Sequence, residues 1–201
     1  MSLLGRGPML SQDDVQALFL QCGALLDGHF LLSSGLHSPR YLQCALVLEA
    51  PARAELLGKE LGERLQAAGF RPQAVLNPAL GGVIIGHEVA RALGVRCLFT
   101  ERDAAGHAVL RRGFSLRPGE RVVVVEDVVT TGGSTKEVME VARAAGAVVL
   151  GVASIVDRSD GQWHFDVPFV SLLQLNVPAY PSHQCPLCAL GTPAVKPGSR
   201  K

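Results

Sequence analysis

Three things are missing from this chain of 201 residues, and each absence closes off a class of protein. Neither sign of charge dominates: 19 Lys and Arg against 18 Asp and Glu leave a formal net charge of +1, too weak a field to hold nucleic acid or an anionic membrane surface. Long apolar runs are absent too. The longest, residues 146–156, is too short to span a bilayer, and the N-terminus lacks a signal-peptide pattern. The expectation is therefore a soluble, intracellular, cytoplasmic protein with no membrane or nucleic-acid partner. Cysteines are few and odd in number. Cys22, Cys44, Cys97, Cys185 and Cys188 are scattered, which argues against a disulfide framework and for reduced thiols. No internal repeat, low-complexity tract or Ser/Gly/Pro-rich linker divides the chain. With 48% hydrophobic residues it can bury one substantial core, so residues 1–201 read as a single domain, a hood of about residues 1–50 plus C-terminal residues over a core of about 51–175.

Helical and extended signals then alternate. Residues 11–22 open with Ser11, Asp13 and Asp14 and carry an apolar face of Val15, Leu18 and Phe19. Extended runs at 29–33 and 41–48 flank a turn-rich loop at 34–39. Pro51 suits a first helical position, Leu57, Leu61 and Leu65 recur every four residues, and Gly69 closes that helix. A short strand at 74–76, a helix at 83–93 stopped by Gly94, and strands at 95–99, 148–156 and 167–173 complete the pattern. Repeated βαβ order predicts an α/β fold: a central, mainly parallel, Rossmann-like sheet flanked by helices, with a small N-terminal hood.

The most informative segment is residues 122–134, Val-Val-Val-Val-Glu-Asp-Val-Val-Thr-Thr-Gly-Gly-Ser. Four valines without polar alternation suit a strand buried on both faces of a parallel sheet, whose end is where a ligand is expected. After it, Ser134 and Glu137 fit a capping box, with Val138, Val141, Ala142 and Ala145 on one helical stripe. The free N–H groups of such a helix start favour an anion, and Gly132 and Gly133 let backbone approach it. Thr130, Thr131 and Ser134 add hydroxyls. Glu126 and Asp127 repel phosphate but accept hydrogen bonds from vicinal ribose hydroxyls and help organise magnesium. One end grips phosphate and the other grips sugar. The Walker and dinucleotide patterns do not match.

Other segments are less specific. The loop Pro78-Ala79-Leu80-Gly81-Gly82 is a second strand-to-helix turn able to wrap an anion such as pyrophosphate, although such glycines also serve as plain turn-formers. Residues 100–113 hold Glu101, Arg102, Asp103, His107, Arg111 and Arg112 around a glycine, which fits a lid over the reaction or a simple hairpin. His183 with Cys185 and Cys188 has CxxC spacing, but no second pair exists; an ordinary C-terminal loop is the simpler reading and zinc the alternative.

Residues 122–134 resemble the phosphoribosyl pyrophosphate (PRPP) signature of the type I phosphoribosyltransferases. With the Phe30-Leu-Leu-Ser-Ser-Gly35 hood segment, the Pro-Ala-Leu-Gly-Gly loop, the charged segment and the Asp157-Arg158 strand end, the chain resembles the orotate phosphoribosyltransferase family over roughly residues 21–177. The resemblance implies transfer of ribose 5-phosphate from PRPP to orotate, giving orotidine 5′-monophosphate and pyrophosphate in UMP biosynthesis. The resemblance also implies a magnesium requirement, the ion held mainly through PRPP with Glu126 and Asp127 nearby rather than by direct protein ligands. It implies a homodimer whose lid crosses to the neighbouring site. By the same resemblance, Glu126, Asp127, Arg102 and His107 are catalytic; Val128, Val129, Thr130, Thr131, Gly132, Gly133, Ser134, Ala79, Leu80 and Gly81 hold PRPP together with Glu126, Asp127 and Arg102; and Thr130, Arg158 and Tyr41 hold orotate. Arg102 falls where the family usually has a lid lysine. Ser33, Gly81 and Ala105 stand where lysines are common, and Glu101 where an arginine is. Those substitutions keep two alternatives open, a purine or uracil phosphoribosyltransferase and a catalytically weakened PRPP-sensing regulatory protein.

Overall fold

The computed structural model describes residues 9–32, 34–159 and 165–197. Helix α1 (Gln12–Gln21) starts at Ser11, whose Oγ accepts from the Asp14 N–H at 3.1 Å while the Asp14 carboxylate accepts from the Ser11 N–H at 2.9 Å. This reciprocal box satisfies two end groups of the helix. Strands β1 (Leu25–Leu31) and β2 (His37–Leu42) then form an antiparallel hairpin separate from the main sheet. The run 41–48, expected to be extended, divides: β2 ends at Leu42 and the chain turns into α2 (Cys44–Leu48). Burial of Cys44, Val47 and Leu48, spaced one helical turn apart, explains the turn. Part of the 34–39 loop is likewise strand, because β2 begins at His37.

The core follows as α3 (Pro51–Ala67), β3 (Ala74–Pro78), α4 (Gly81–Leu93), β4 (Arg96–Arg102), β5 (Ala108–Leu110), β6 (Arg121–Val129), α5 (Gly133–Ala144), β7 (Val148–Asp157) and β8 (Phe169–Gln174). A 3-10 turn (Ser182–Gln184) and α6 (Pro186–Ala189) complete the described chain. The six strands lie in the order β5-β4-β3-β6-β7-β8, all parallel except the edge strand β5. The expected mainly parallel sheet flanked by helices is what forms. Its valine run is buried on both faces: Val123 and Val125 pack with Leu57, Leu61 and Ile85 of α3 and α4, Val122 and Val124 with Val138 and Ala142 of α5. Among the described residues no helix is long and apolar enough to cross a membrane.

Helices α3 and α4 meet closely enough that a Cβ on Gly58 would lie 2.3 Å from Glu88 Cβ and 2.8 Å from the Glu88 carbonyl carbon. Backbone cannot yield as a side-chain tip can. Gly58→Ala should lower stability by about 1–3 kcal/mol in equilibrium denaturation, and an unchanged midpoint would contradict so close an approach.

Candidate active site

The order of the parallel strands reverses between β3 and β6, since β4 follows β3 on one side while β7 and β8 follow β6 on the other. Ligands in such sheets bind in the crevice beyond the carboxyl ends at that reversal. A cavity of about 220 Å³ lies there, and Ala79, Gly81, Arg102, Glu126, Asp127 and Ser134 are in its wall.

Two carboxylates dominate its chemistry. Glu126 is 6% exposed and its Oε2 accepts from Ser134 Oγ at 3.1 Å. Burial, reinforced by the charge of Asp127, pushes the Glu126 pKa up to about 8. Burial also raises Asp127, opposed by the Val128 N–H, which donates to Asp127 Oδ1 at 2.9 Å. Gly81 has a physical reason to be glycine: a Cβ there would lie 2.7 and 2.8 Å from the two Asp127 carboxylate oxygens. The site that lysine would occupy is filled by the acid. Ala79 is fixed by its N–H donating to the Thr100 carbonyl at 2.9 Å, and Leu80 is 86% exposed at the start of α4.

The start of α5 departs from the expected capping box. Gly132, at φ 71°, occupies the cap position in the left-handed region that favours glycine, and its carbonyl accepts from the Lys136 N–H at 2.9 Å. Ser134 has turned to Glu126 and Glu137 to Arg102, so among the described residues no side chain caps this helix. Its first-turn N–H groups are left facing the loop of exposed Thr130, Thr131 and Gly133. Val128 and Val129 belong to β6 itself, Val129 paired with Asp157.

Thr130 and Arg158 follow directly on that pair, and the Arg158 N–H donates to the Val129 carbonyl at 2.8 Å. Neither is in the wall of the 220 Å³ cavity. Asp157 is not Arg158's partner: its Oδ1 accepts from the N–H and Oγ of Ser159 at 2.8 and 2.6 Å. Arg158 Nε is buried with no hydrogen-bond partner among the described residues, and burial pulls the guanidinium pKa down. A half-buried cation with a buried, unsatisfied N–H is costly to hold unless an anion joins it. Ser33 and Asp160 lie outside the described residues.

Residues 100–113 form an ordered hairpin in which Thr100, Glu101 and Arg102 pair with Leu110, Val109 and Ala108. The Arg102 guanidinium reaches the cavity wall, donates to the Gly106 carbonyl at 2.7 Å and pairs with Glu137. His107 is not brought to the acidic pair; its side chain is 78% exposed, 3.6 Å from Asp103, beside Lys136, Glu137 and Glu140 on the α5 side. Nor is Arg112 free to replace missing lysines, since both its Nε and a terminal nitrogen donate to Glu101 at 2.8 Å. Tyr41 packs on Phe30 in the N-terminal hairpin, ring centroids 5.7 Å apart, outside the cavity wall.

Two further residues belong near the site. Asn77, fully buried at the end of β3, accepts from Cys97 Sγ at 3.3 Å while its Nδ2 has no partner among the described residues. A polar residue interrupting an apolar strand was its visible signal. Cys44 is buried, and its thiol is pushed well up by burial and then by Asp127, with Arg158 opposing.

The phosphoribosyl transferase domain model matches residues 46–182. The orotate phosphoribosyltransferase of Heliobacterium modesticaldum is 54% identical over 191 residues, 95% of this chain and 100% of that one. That of Carboxydothermus hydrogenoformans is 53% identical over 94% of this chain and 98% of the other. The chain belongs to the orotate phosphoribosyltransferase family. The fold agrees with a family member of known structure: the orotate phosphoribosyltransferase of Aeropyrum pernix superposes with a TM-score of 0.67 at 30% identity, over 80% of this chain and 93% of that one.

For this family member the raised Glu126 pKa makes stability depend on pH. The folded state holds a proton that the unfolded chain, near 4.5, releases, so the contribution is full below 4.5 and is lost as pH rises towards 8. Glu126→Gln, which cannot ionise, should gain stability over the parent across that window, on the order of 1–3 kcal/mol at its upper end. Parallel denaturation curves for parent and variant from pH 5 to 8.5 would contradict the shift.

Proposed function

We propose that this protein transfers the 5-phosphoribosyl group of PRPP to N1 of orotate, giving orotidine 5′-monophosphate and pyrophosphate in UMP biosynthesis. The observation that carries the reading is the pairing of buried Glu126 with half-buried Asp127 in one cavity wall beside the start of α5, which no side chain caps among the described residues. Carboxylates accept from the ribose hydroxyls, while Thr130 to Ser134 and the α5 N–H groups hold the 5′-phosphate. The Ala79–Gly81 turn and Arg102 serve the pyrophosphate, and Arg158 with Thr130 serves orotate. Orotate carries its own nucleophilic nitrogen, so protein need supply only positioning and electrostatic stabilisation. The hard oxygen donors of Glu126 and Asp127 fit magnesium held chiefly through PRPP, which would offset the charge on departing pyrophosphate. The unpartnered Arg158 favours a base bearing a carboxylate over uracil or a purine.

The hairpin β4–β5 acts as the lid, excluding water from an oxocarbenium-like state. Arg102 must exchange Glu137 for pyrophosphate as it closes. In a homodimer the lid would serve the neighbouring site, and a cytoplasmic location suits soluble substrates of this kind. We read residues 1–201 as one domain, with the N-terminal hairpin and C-terminal segment as its hood.

The direct test is formation of orotidine 5′-monophosphate by pure protein with PRPP, magnesium and orotate but not uracil or purines; no product from any base would restore the regulatory reading. Arg158→Leu should raise the KM for orotate ten- to a hundredfold, the size of a charge-assisted pair of about 1.5–3 kcal/mol, and leave that for PRPP unchanged. Equal weakening of both would assign Arg158 a general structural role. Arg102→Ala should lower kcat more than it weakens orotate binding. Mixing it with Asp127→Asn under subunit exchange should restore activity in hybrid dimers, and no recovery would place the lid over its own subunit's site.

A further inference from the structure

Outside the wall of the acidic cavity, four potential ligand atoms from the N-terminal hairpin and the C-terminal segment converge. His29 Nε2 lies 2.8 Å from His37 Nδ1, 3.5 Å from Cys185 Sγ and 3.8 Å from Cys188 Sγ, and Cys188 Sγ lies 3.2 Å from His37 Nδ1. All four atoms fall within 4.8 Å of one another. We propose that His29, His37, Cys185 and Cys188 form a structural zinc site that fastens the C-terminal segment to the N-terminal hairpin.

The geometry suits the metal. Tetrahedral zinc with Zn–S of about 2.3 Å and Zn–N of about 2.0–2.1 Å requires ligand–ligand separations of roughly 3.3–3.8 Å. The His29–Cys185, His29–Cys188 and His37–Cys188 pairs lie at 3.5, 3.8 and 3.2 Å, the His29–His37 pair is tighter at 2.8 Å, and every pair falls within 4.8 Å, so small side-chain adjustments complete the shell. Two thiolates and two neutral imidazoles balance a divalent charge, so the complex can sit where His29 is 5% and Cys185 3% exposed. Two sulfurs and two nitrogens in a closed arrangement also select zinc over magnesium or calcium.

The surrounding structure orients the ligands. His29 Nδ1 lies 2.7 Å from the Thr192 carbonyl, which can only accept, so Nδ1 carries the proton and the Nε2 lone pair faces the cluster. The β1–β2 register shifts between Asp27 and Phe30, and the bulge leaves His29 and Phe30 buried in succession where an unbroken strand would alternate. Cys185 is the cap residue of the single-turn α6 and Cys188 its third residue, a spacing of one turn that brings both sulfurs to one side. Backbone bonds dock the same segments, His37 with Tyr180 and Leu31 with Val195, each at 2.8 Å. His183, the neighbour that the CxxC spacing suggested as a ligand, is exposed and outside the cluster. The ring nitrogens come instead from residues some 150 positions away in sequence.

Binding displaces two thiol protons and leaves oxidation states unchanged. The test is metal analysis of the reduced full-length protein after incubation with zinc and removal of the excess. About one zinc per chain is expected, with loss in Cys185→Ser and His37→Ala and retention in His183→Ala. Cobalt in place of zinc should give thiolate charge-transfer bands and the intense visible bands of a tetrahedral ion, a readout needing no variant. Chelation of the parent should lower its unfolding midpoint by about 5 °C or more and expose Cys185 and Cys188 to alkylation. Reduced parent that retains no zinc and gives only an octahedral cobalt spectrum overturns the proposal. So does a folded Cys185→Ser/Cys188→Ser variant that binds as much zinc as the parent. None of these readouts depends on transferase activity.

Discussion

Everything around the active site answers to two carboxylates placed side by side with little water. Glu126 and Asp127 sit at the end of a strand whose preceding valines are buried on both faces, so neither can escape into solvent without disturbing the sheet. Burial favours the neutral form of each, and the charge of Asp127 raises Glu126 further, whereas hydrogen bonds from the Val128 N–H and from Glu126 pull Asp127 back down. Nearby choices follow from that cost. Ser134 donates to Glu126 instead of capping its helix, Gly81 leaves room for the Asp127 carboxylate, and Gly132 starts α5 where no side-chain cap is left. The same arrangement that is expensive unliganded is complementary to a sugar with vicinal hydroxyls and a cation in attendance.

The second organising feature is that the positive groups are withheld from this pair. Arg102 lies in the cavity wall but is engaged by Glu137 and the Gly106 carbonyl, and Arg112 is committed to Glu101. Under the proposed closure, the hairpin would exchange ion pairs between largely exposed groups. Such pairs contribute little to stability, typically under about 1 kcal/mol, and so oppose the motion only weakly. Arg158 differs because it is half-buried and its buried Nε has no hydrogen-bond partner to give up among the described residues.

Much of this was legible in the sequence where local rules and tertiary needs agreed. The valine run, Pro51, the leucine repeat of α3 and Gly94 each did what composition and spacing implied, because both faces of the sheet were to be covered. Failures came where a side chain had a distant alternative. Ser134 and Glu137 match a capping box in spacing, yet Glu126 and Arg102 recruit them. The 41–48 run is apolar enough for a strand, but a short apolar run does not reveal its period, and packing of Cys44, Val47 and Leu48 decides for a helix. His107 is charged-loop material like Arg102, but it lies in the turn between β4 and β5, beside Lys136, Glu137 and Glu140 of α5 and outside the wall of the acidic cavity. The His–Cys cluster was half visible as CxxC; its histidines could be found only once the hairpin and tail were folded together.

With a pKa raised to about 8 by burial and by Asp127, Glu126 holds a proton at neutral pH that the proposed binding of magnesium–PRPP would displace. Calorimetric titration with magnesium–PRPP near pH 7, in two buffers of different ionisation enthalpy and under saturating conditions, measures the protons exchanged on binding for the parent and for Glu126→Gln. The parent should release more protons than the variant, by a difference approaching one per site, and the difference should vanish well above pH 8. Equal proton exchange in parent and variant at neutral pH would show that binding removes no proton from Glu126, the opposite result.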